Sequence, residues 1–176
     1  MTTGTLIEIA DSVTPTIKYP SLEAAIASAK YQRATNKPEL GPKLFAVEGS
    51  VHQKYEVERA KAAGDEAATR RATDDELNMI RTVSGKNSVK KYKGEWNQAA
   101  WDAVRDEVYR TYLSERYRVD ARFRTMVQAI KEKGGEILFV NGVDPSALGV
   151  GVRADGSLAG GDNLVGKWIM DLAKTA

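Results

Sequence analysis

A carboxylate and an amine stand seven residues apart in a segment that otherwise holds mostly small residues. They are Glu23 and Lys30, in the run KYPSLEAAIASAKYQ of residues 18–32. On a helix, positions i and i+7 lie almost on one line, ~10 Å apart along the axis. A carboxylate can stabilise a developing positive charge or activate water, and a desolvated amine can act as a nucleophile or an acid. The spacing alone also fits a first-turn carboxylate favoured by the helix dipole and a snorkelling lysine.

The local sequence predicts that this segment is a helix at the centre of the fold. Proline cannot continue a preceding helix and serine caps a new one, so Pro20–Ser21 indicates its start. Nothing interrupts the pattern until residues 36–38, where a proline ends it. The alanines inside the segment allow other backbone to approach closely. An acid and an amine on a buried helix are costly unless they are paired or used.

The composition excludes several classes of site. The chain has 176 residues, no cysteine and one histidine, His52, so disulfides, thiolate zinc sites, a cysteine nucleophile and a histidine-clustered metal site are excluded. We expect neither a metal nor a cofactor. The net charge is only +2, so the overall charge does not indicate a strongly basic protein that coats nucleic acid. No apolar run has the length of a membrane span and the N-terminus lacks a signal-peptide pattern, so we expect a soluble, cytoplasmic protein.

The remaining pattern predicts one α+β domain over residues 1–176, mainly helical with a small β element and no large sheet. Two short apolar runs, 5–9 and 136–140, are typical of strands. The polar run 64–73 is predicted as an exposed loop or frayed helix end, and Asp74 as the N-cap of the next helix. Apolar periodicity predicts further helices at 51–63, 75–82, 96–116, 120–133 and from 162 onward, with turns at 37–47.

Residues 81–93 form a basic segment that contains no acid. Glycine, serine and asparagine among its cations predict a loop, and Tyr92 adds an aromatic ring. Such a loop can bind nucleic-acid phosphates, or it can be a mobile, solvated loop without a ligand. The candidate nucleic-acid-binding residues are Lys86, Lys90, Lys91 and Lys93.

Residues 141–161 form the most unusual segment, with six glycines and one proline. Glycine lets backbone approach a ligand closely, which suits phosphate groups or ribose hydroxyls. The segment leads into a helix that starts at Asp162–Asn163, and a helix N-terminus favours anions. No GxGxxG motif precedes it. We therefore expect a pocket where this segment meets the helix that carries Glu23 and Lys30.

The order of these features resembles the NADAR, or YbiA-like, N-glycosidase family. Four pieces in family order, spanning residues 19–172, carry the resemblance: Tyr19-Pro20-Ser21-Leu22-Glu23 with Lys30-Tyr31; Trp101, Arg105, Val108, Tyr112 and Arg116-Tyr117; Asp144-Pro145 with Gly149-Val150-Gly151; and Gly161-Asp162-Asn163-Leu164-Val165-Gly166 with Met170. Three departures stand beside them. The family's N-terminal L-S-N-F stretch is not recognisable in residues 1–18, its W-G tryptophan is replaced by Leu148, and its Lys-Phe pair is Arg116-Tyr117.

The resemblance implies a YbiA-like fold and cleavage of an N-glycosidic bond. One branch of the family removes ADP-ribose from guanine, reversing ADP-ribosylation of nucleic acid, and another hydrolyses phosphoribosyl intermediates of riboflavin synthesis. The partner would then be ADP-ribosylated guanine in DNA, RNA or a free nucleotide, with Glu23 and Lys30 as catalytic residues. The implied substrate-binding residues are Tyr19, Trp101, Asp144, Gly149, Gly151, Gly161 and Asn163.

Two other classes of function remain open. The chain can be a binder of ADP-ribose or nucleic acid that has lost catalysis, which the missing tryptophan favours. It can also be a small helical interaction protein, although that class leaves the glycine-rich segment unexplained. Release of free ADP-ribose from a modified oligonucleotide separates the enzyme from the binder.

Overall fold

The computed structural model describes residues 7–134, 148–149 and 153–176. It is mainly helical, with 66% of these residues in helices, and it contains a small two-stranded antiparallel sheet. Strand β1 (Ile9–Ala10) pairs with β2 (Lys18–Tyr19), so that Ile9 lies opposite Tyr19. The prediction of a mainly helical chain with a small β element is confirmed. The predicted strand at 5–9 overlaps β1 at one residue, and the predicted strand at 136–140 lies outside the described residues.

The chain divides into two compact units, Met1–Tyr112 and Leu113–Ala176, and each is described by itself. The predicted single domain stays a prediction. No helix in the described part of the chain is long and apolar enough to cross a membrane. The helices are α1 (Leu22–Ala34), α2 (Leu40–Phe45), α3 (Ser50–Lys61), α4 (Glu66–Val83), α5 (Lys86–Lys91), α6 (Gln98–Val119, which contains the unit boundary), α7 (Ala121–Glu132) and α8 (Leu164–Thr175).

Helix α1 is the buried centre of the first unit, as the sequence predicts. Its N-cap is Ser21, whose Oγ accepts a hydrogen bond from the amide of Ala24 at 3.2 Å. The alanines between Ala24 and Ala34 are buried, and helix α2 packs directly against them. A Cβ at Gly41 of α2 would lie 2.6 Å from the carbonyl oxygen of Ser28. This close approach requires glycine on one helix and small residues on the other.

Helix α4 corrects two predictions. Residues 66–73 are helical rather than a loop, and the N-cap is Asp65, whose Oδ1 accepts from the amide of Ala68 at 2.9 Å. Asp74 is an exposed residue inside the helix, so its prediction as an N-cap is wrong. The N-terminal half of α4 is polar because it is mostly exposed, and polarity alone was a poor reason to predict a loop.

The basic segment 81–93 is also more ordered in structure than predicted. Its first residues end α4, and helix α5 occupies Lys86–Lys91. Ser88 and Val89 are buried, and Ser88 Oγ donates to the carbonyl oxygen of Thr82 at 2.8 Å. The prediction of a loop is therefore wrong for α5, which displays its lysines from a helix.

In the second unit, helices α7 and α8 pack against each other. The predicted helix 120–133 corresponds to α7, and Asp120 is its N-cap, with Oδ1 accepting from the amides of Arg122 and Phe123 at 3.0 and 3.1 Å. Helix α8 follows Asn163, whose φ of 52° is left-handed. Its apolar side buries Trp168 and Ile169, as predicted.

Candidate functional site

Lys30 is an amine held away from water by its surroundings. It projects from the third turn of α1, and its Nζ lies 5.9 Å from the centroid of the Trp101 ring. Burial lowers the pKa of the Lys30 amine from its ordinary value near 10.5. Among the described residues, no carboxylate lies within ion-pair distance of Nζ. Lys30 as a residue is half-buried rather than fully enclosed.

Trp101 supports this amine from helix α6. Its side chain is only 5% exposed, and its ring centroid lies 6.4 Å from that of Trp96 at an angle of 52°. The face of Trp101 is therefore shared between the lysine and a second indole. A cation over an aromatic face gains ~0.5–2 kcal/mol, which offsets part of the cost of desolvation. Trp101 thus holds Lys30 in place, and its predicted contact with a substrate stays a prediction.

Glu23 lies two turns before Lys30, half-buried in the first turn of α1. Burial raises the pKa of Tyr109 to about 12, with the Glu23 carboxylate raising it further and Arg105 lowering it. This electrostatic coupling brings Glu23, Arg105 and Tyr109 into one neighbourhood. Since Trp101, Arg105 and Tyr109 are spaced by four residues on α6, they share one helix face, which is turned to the Glu23–Lys30 face of α1.

The arrangement combines a carboxylate and a desolvated amine that do not neutralise each other. Helix geometry separates them by ~10 Å along the axis, so they can act on different parts of one ligand. Sequence reasoning included Arg105 only through the resemblance, and it missed Tyr109. The signal that could have found Tyr109 is its spacing of four residues from Arg105 and eight from Trp101.

Tyr19 lies in a buried polar network next to α1. None of its surface is exposed, its hydroxyl donates to Asp11 Oδ2 at 3.0 Å, and the hydroxyl lies 2.9 Å from Ser28 Oγ. Asp11 Oδ1 accepts from the amides of Val13 and Thr14 at 2.7 and 3.0 Å. Burial is the main reason that the pKa of Tyr19 lies above its ordinary value. The network joins the β1–β2 hairpin to α1, and direct substrate contact by Tyr19 stays a prediction.

The glycine-rich segment is described only in part. Asp144 and Gly151 lie outside the described residues. In the second unit, the amide of Asn163 donates to the carbonyl oxygen of Gly149 at 3.1 Å, and Gly161 has a φ of 94°. The residue before α8 is thus tied to Gly149, which brings two of the predicted ligand-binding residues together. The predicted pocket between this segment and α1 stays a prediction.

The four predicted nucleic-acid-binding lysines are all exposed: Lys86, Lys90, Lys91 and Lys93. Three of them belong to α5, and Lys93 follows it with a left-handed φ of 56°. The amide of Lys93 donates to the carbonyl oxygen of Lys90 at 2.9 Å, so the basic residues form one structural group. Their contact with phosphate stays a prediction.

Sequence reasoning missed a buried ionic cluster between α3 and α4. Glu76 is 2% exposed, with Oε1 2.7 Å from His52 Nδ1 and Oε2 2.6 Å from Arg59 Nη1. Both carboxylate oxygens have a partner, so we interpret the cluster as a structural ionic link between α3 and α4. Within a mostly polar helix, nothing in the sequence distinguishes Glu76 from its exposed neighbours.

No family model, curated protein or solved structure matches this chain.

Proposed function

We propose that the chain hydrolyses the N-glycosidic bond between ADP-ribose and guanine in nucleic acid or a nucleotide. One observation carries the proposal: a desolvated amine, Lys30, two turns from a carboxylate, Glu23, on one face of α1. The ordered sequence motifs that resemble the NADAR family support it. A purely structural lysine would be expected to reach water or a carboxylate, because an unpaired buried charge is costly.

The reaction assigns a role to each group. The bond between C1 of ribose and the guanine nitrogen breaks, its electron pair stays with guanine, and positive charge develops on the ribose. Glu23 stabilises that charge or takes the proton of the water that adds to C1. The products are free ADP-ribose and guanine that has regained a proton.

Lys30 has two alternative roles, which its lowered pKa makes chemically accessible. As a cation it gives the leaving guanine its proton, and a lowered pKa makes that transfer easier. As a neutral amine it attacks C1, and the ring-opened sugar forms a Schiff base that water then hydrolyses. Reduction with borohydride traps only the second species as a permanent sugar–protein adduct.

The test uses a single-stranded oligonucleotide that carries one ADP-ribosylated guanine. Free ADP-ribose and unmodified oligonucleotide are quantified for the wild type, Glu23→Gln and Lys30→Met. The matched controls are Glu39→Gln and Lys43→Met, which change exposed residues of the same types. We expect release by the wild type and by both controls, and loss of most turnover in the two α1 variants.

Three results would overturn the proposal. Binding without release would make the chain a non-catalytic ADP-ribose or nucleic-acid binder. Release from a phosphoribosyl intermediate of riboflavin synthesis, but not from modified guanine, would move it to the other branch. Turnover of Glu23→Gln equal to that of the wild type would reduce Glu23 to a carboxylate that stabilises the first turn of its helix.

A further inference from the structure

We infer that a pocket between the end of α1 and the start of α6 holds an unstacked nucleotide of single-stranded nucleic acid, with Trp96 as the stacking surface. The inference deepens the proposed function and rests on it for the identity of the strand. It assigns a binding role to residues that the sequence analysis leaves without one.

The pocket is a polar cavity of about 500 Å³ at the C-terminal end of α1, the helix that also carries Lys30. Cavities of roughly 300–1,000 Å³ are typical of ligand sites. Trp96 is half-buried, in contact with Trp101, whose ring in turn lies under the Lys30 amine. The cavity is lined by Arg33, Thr35, Asn36, Trp96, Asn97 and Gln98, among others.

The segment that carries Trp96 is fixed to α1 by its backbone. Trp96 forms an antiparallel bridge with Thr35, and the amide of Asn97 donates to the carbonyl oxygen of Ala34 at 2.8 Å. The amide of Glu95 donates to Asn36 Oδ1, also at 2.8 Å. A platform that is already ordered loses little conformational entropy when a ligand binds.

The indole ring is itself oriented by a chain of polar contacts. Trp96 Nε1 donates to Gln98 Oε1 at 3.2 Å, and Gln98 Nε2 donates to Asp102 Oδ1 at 2.9 Å. Arg105 Nη1 lies 3.6 Å from the same carboxylate oxygen. The polar contacts run from the pocket to Arg105, which, like Glu23, acts electrostatically on Tyr109.

The charge around the platform favours a phosphate chain. Lys93 precedes Trp96 by three residues, so their Cα atoms are at most ~11 Å apart. The amide of Gly94 donates to the carbonyl oxygen of Val89 at 2.9 Å, which ties this connector to α5 and its exposed lysines. The residues that line the pocket include one acid, Glu95, and one cation, Arg33. Aromatic stacking beside cations is how proteins bind single strands without reading sequence.

The occupant is a single strand rather than a duplex because only an unstacked base offers its face to an aromatic ring. With one base on Trp96, the phosphates on one side meet the basic group of α5 and Lys93. The neighbouring nucleotide on the other side comes to Lys30 and Trp101. This geometry places a modified guanine and its flanking nucleotide in adjacent positions.

The experiment measures binding of an unmodified, fluorescently labelled 12-nucleotide single strand by anisotropy, so it needs no catalysis. Trp96→Ala should weaken binding roughly 5- to 150-fold, the usual effect of losing one stacked base. Trp96→Phe keeps a ring and should retain most of the affinity. A labelled duplex of the same sequence should bind more weakly than the single strand.

The lysines are tested by salt dependence. Replacing Lys86, Lys90, Lys91 and Lys93 by alanine should flatten the salt slope by about 0.7 for each lost phosphate contact. A control variant makes the same change of net charge elsewhere and should leave the slope unaltered. The control replaces four exposed cations, Lys43, Lys61, Arg70 and Lys133, by alanine.

The inference is overturned if the wild type does not bind the single strand, if it prefers the duplex, or if Trp96→Ala and Trp96→Phe bind equally. Circular dichroism of each variant verifies that the fold is retained. If the alanine variant does not fold, Trp96→Leu, which keeps apolar volume without an aromatic face, takes its place, and binding by Trp96→Leu equal to that by Trp96→Phe overturns the inference. Failure of the proposed function has a different signature, which is intact strand binding with no release of ADP-ribose by the wild type.

Discussion

A buried carboxylate, Glu76, and a half-buried amine, Lys30, have opposite surroundings in the first unit. Glu76 is paired on both oxygens, with His52 on one and Arg59 on the other. Lys30 has an aromatic ring below it and, among the described residues, no carboxylate within reach. Both charges lost hydration on folding, but only Glu76 regained equivalent partners from the protein.

Under the proposed function, Glu76 serves the fold and Lys30 serves a ligand. A saturated carboxylate between two helices fixes their positions, and removing it takes from His52 and Arg59 their shared buried partner and leaves them only the exposed Glu56. A half-buried amine without a counter-ion costs stability, which agrees with the chemical role that we propose for Lys30. Mutation of each charge should therefore affect a different property.

The largest effect is expected for Lys30→Met. Methionine fills a similar volume without a charge, so turnover should fall by about 10²–10⁴, the usual contribution of a general acid or base. The free energy of unfolding should stay level or rise. Hydrolysis rates and urea unfolding curves check both, with Lys43→Met as the exposed control. If Lys30→Met clearly lost stability and kept full turnover, Lys30 would be a structural residue and the contrast with Glu76 would be wrong.

Glu76→Ala should have the opposite profile. Removing one member of a buried ion pair costs about 3–5 kcal/mol of stability, and the loss should lie at the lower end of that range because the exposed Glu56 also pairs with Arg59 at 2.7 Å. Turnover at a temperature where the variant is folded should be close to that of the wild type. Asp74→Ala, an exposed acid on the same helix, should change stability by less than about 0.5 kcal/mol. Unfolding midpoints of the two variants that coincide would show that the cluster does not clamp α3 to α4.

The sequence predicted the elements whose boundaries are set by local chemistry. Ser21 caps α1 at the predicted position, and the alanines of α1 are buried as expected. A cap is readable because its side chain bonds to the next turn of its own chain. The same reasoning placed Glu23 and Lys30 on one face of α1.

Features that depend on distant neighbours were not readable. The N-terminal half of helix α4 was missed because it buries little, while the burial of Glu76 depends on His52 and Arg59 from another helix. The aromatic neighbour of Lys30 is Trp101, which is 71 positions away (101 − 30). Spacing fixes the face on which a residue lies, but not what covers that face.

Tyr19→Phe removes a buried polar group that carries no charge. We expect its effect on the free energy of unfolding to be smaller than that of Glu76→Ala. Loss of the hydroxyl leaves Asp11 Oδ2 without its donor, which costs about 1–3 kcal/mol of stability. The matched control is Tyr92→Phe, whose side chain is exposed and should lose almost nothing. Urea unfolding measures both. Equal stabilities of the two variants would show that the network around Asp11 contributes little to joining the hairpin to α1.

The smallest effect is a pH dependence that reports on Lys30 alone. Its folded pKa lies below the unfolded value near 10.5, so between these two values the unfolded state binds more protons. The stability of the wild type, relative to Lys30→Met, should therefore rise as the pH increases through that window. The slope is at most about 1.4 kcal/mol per pH unit for one proton.

Urea unfolding of both proteins from pH 7 to 10 gives this difference, in which the contributions of the tyrosines and other lysines cancel. Lys43→Met, measured in the same way, should show no rise. A flat difference for Lys30 as well would mean that its amine is as hydrated as a surface lysine, and the contrast with Glu76 would then have no energetic basis.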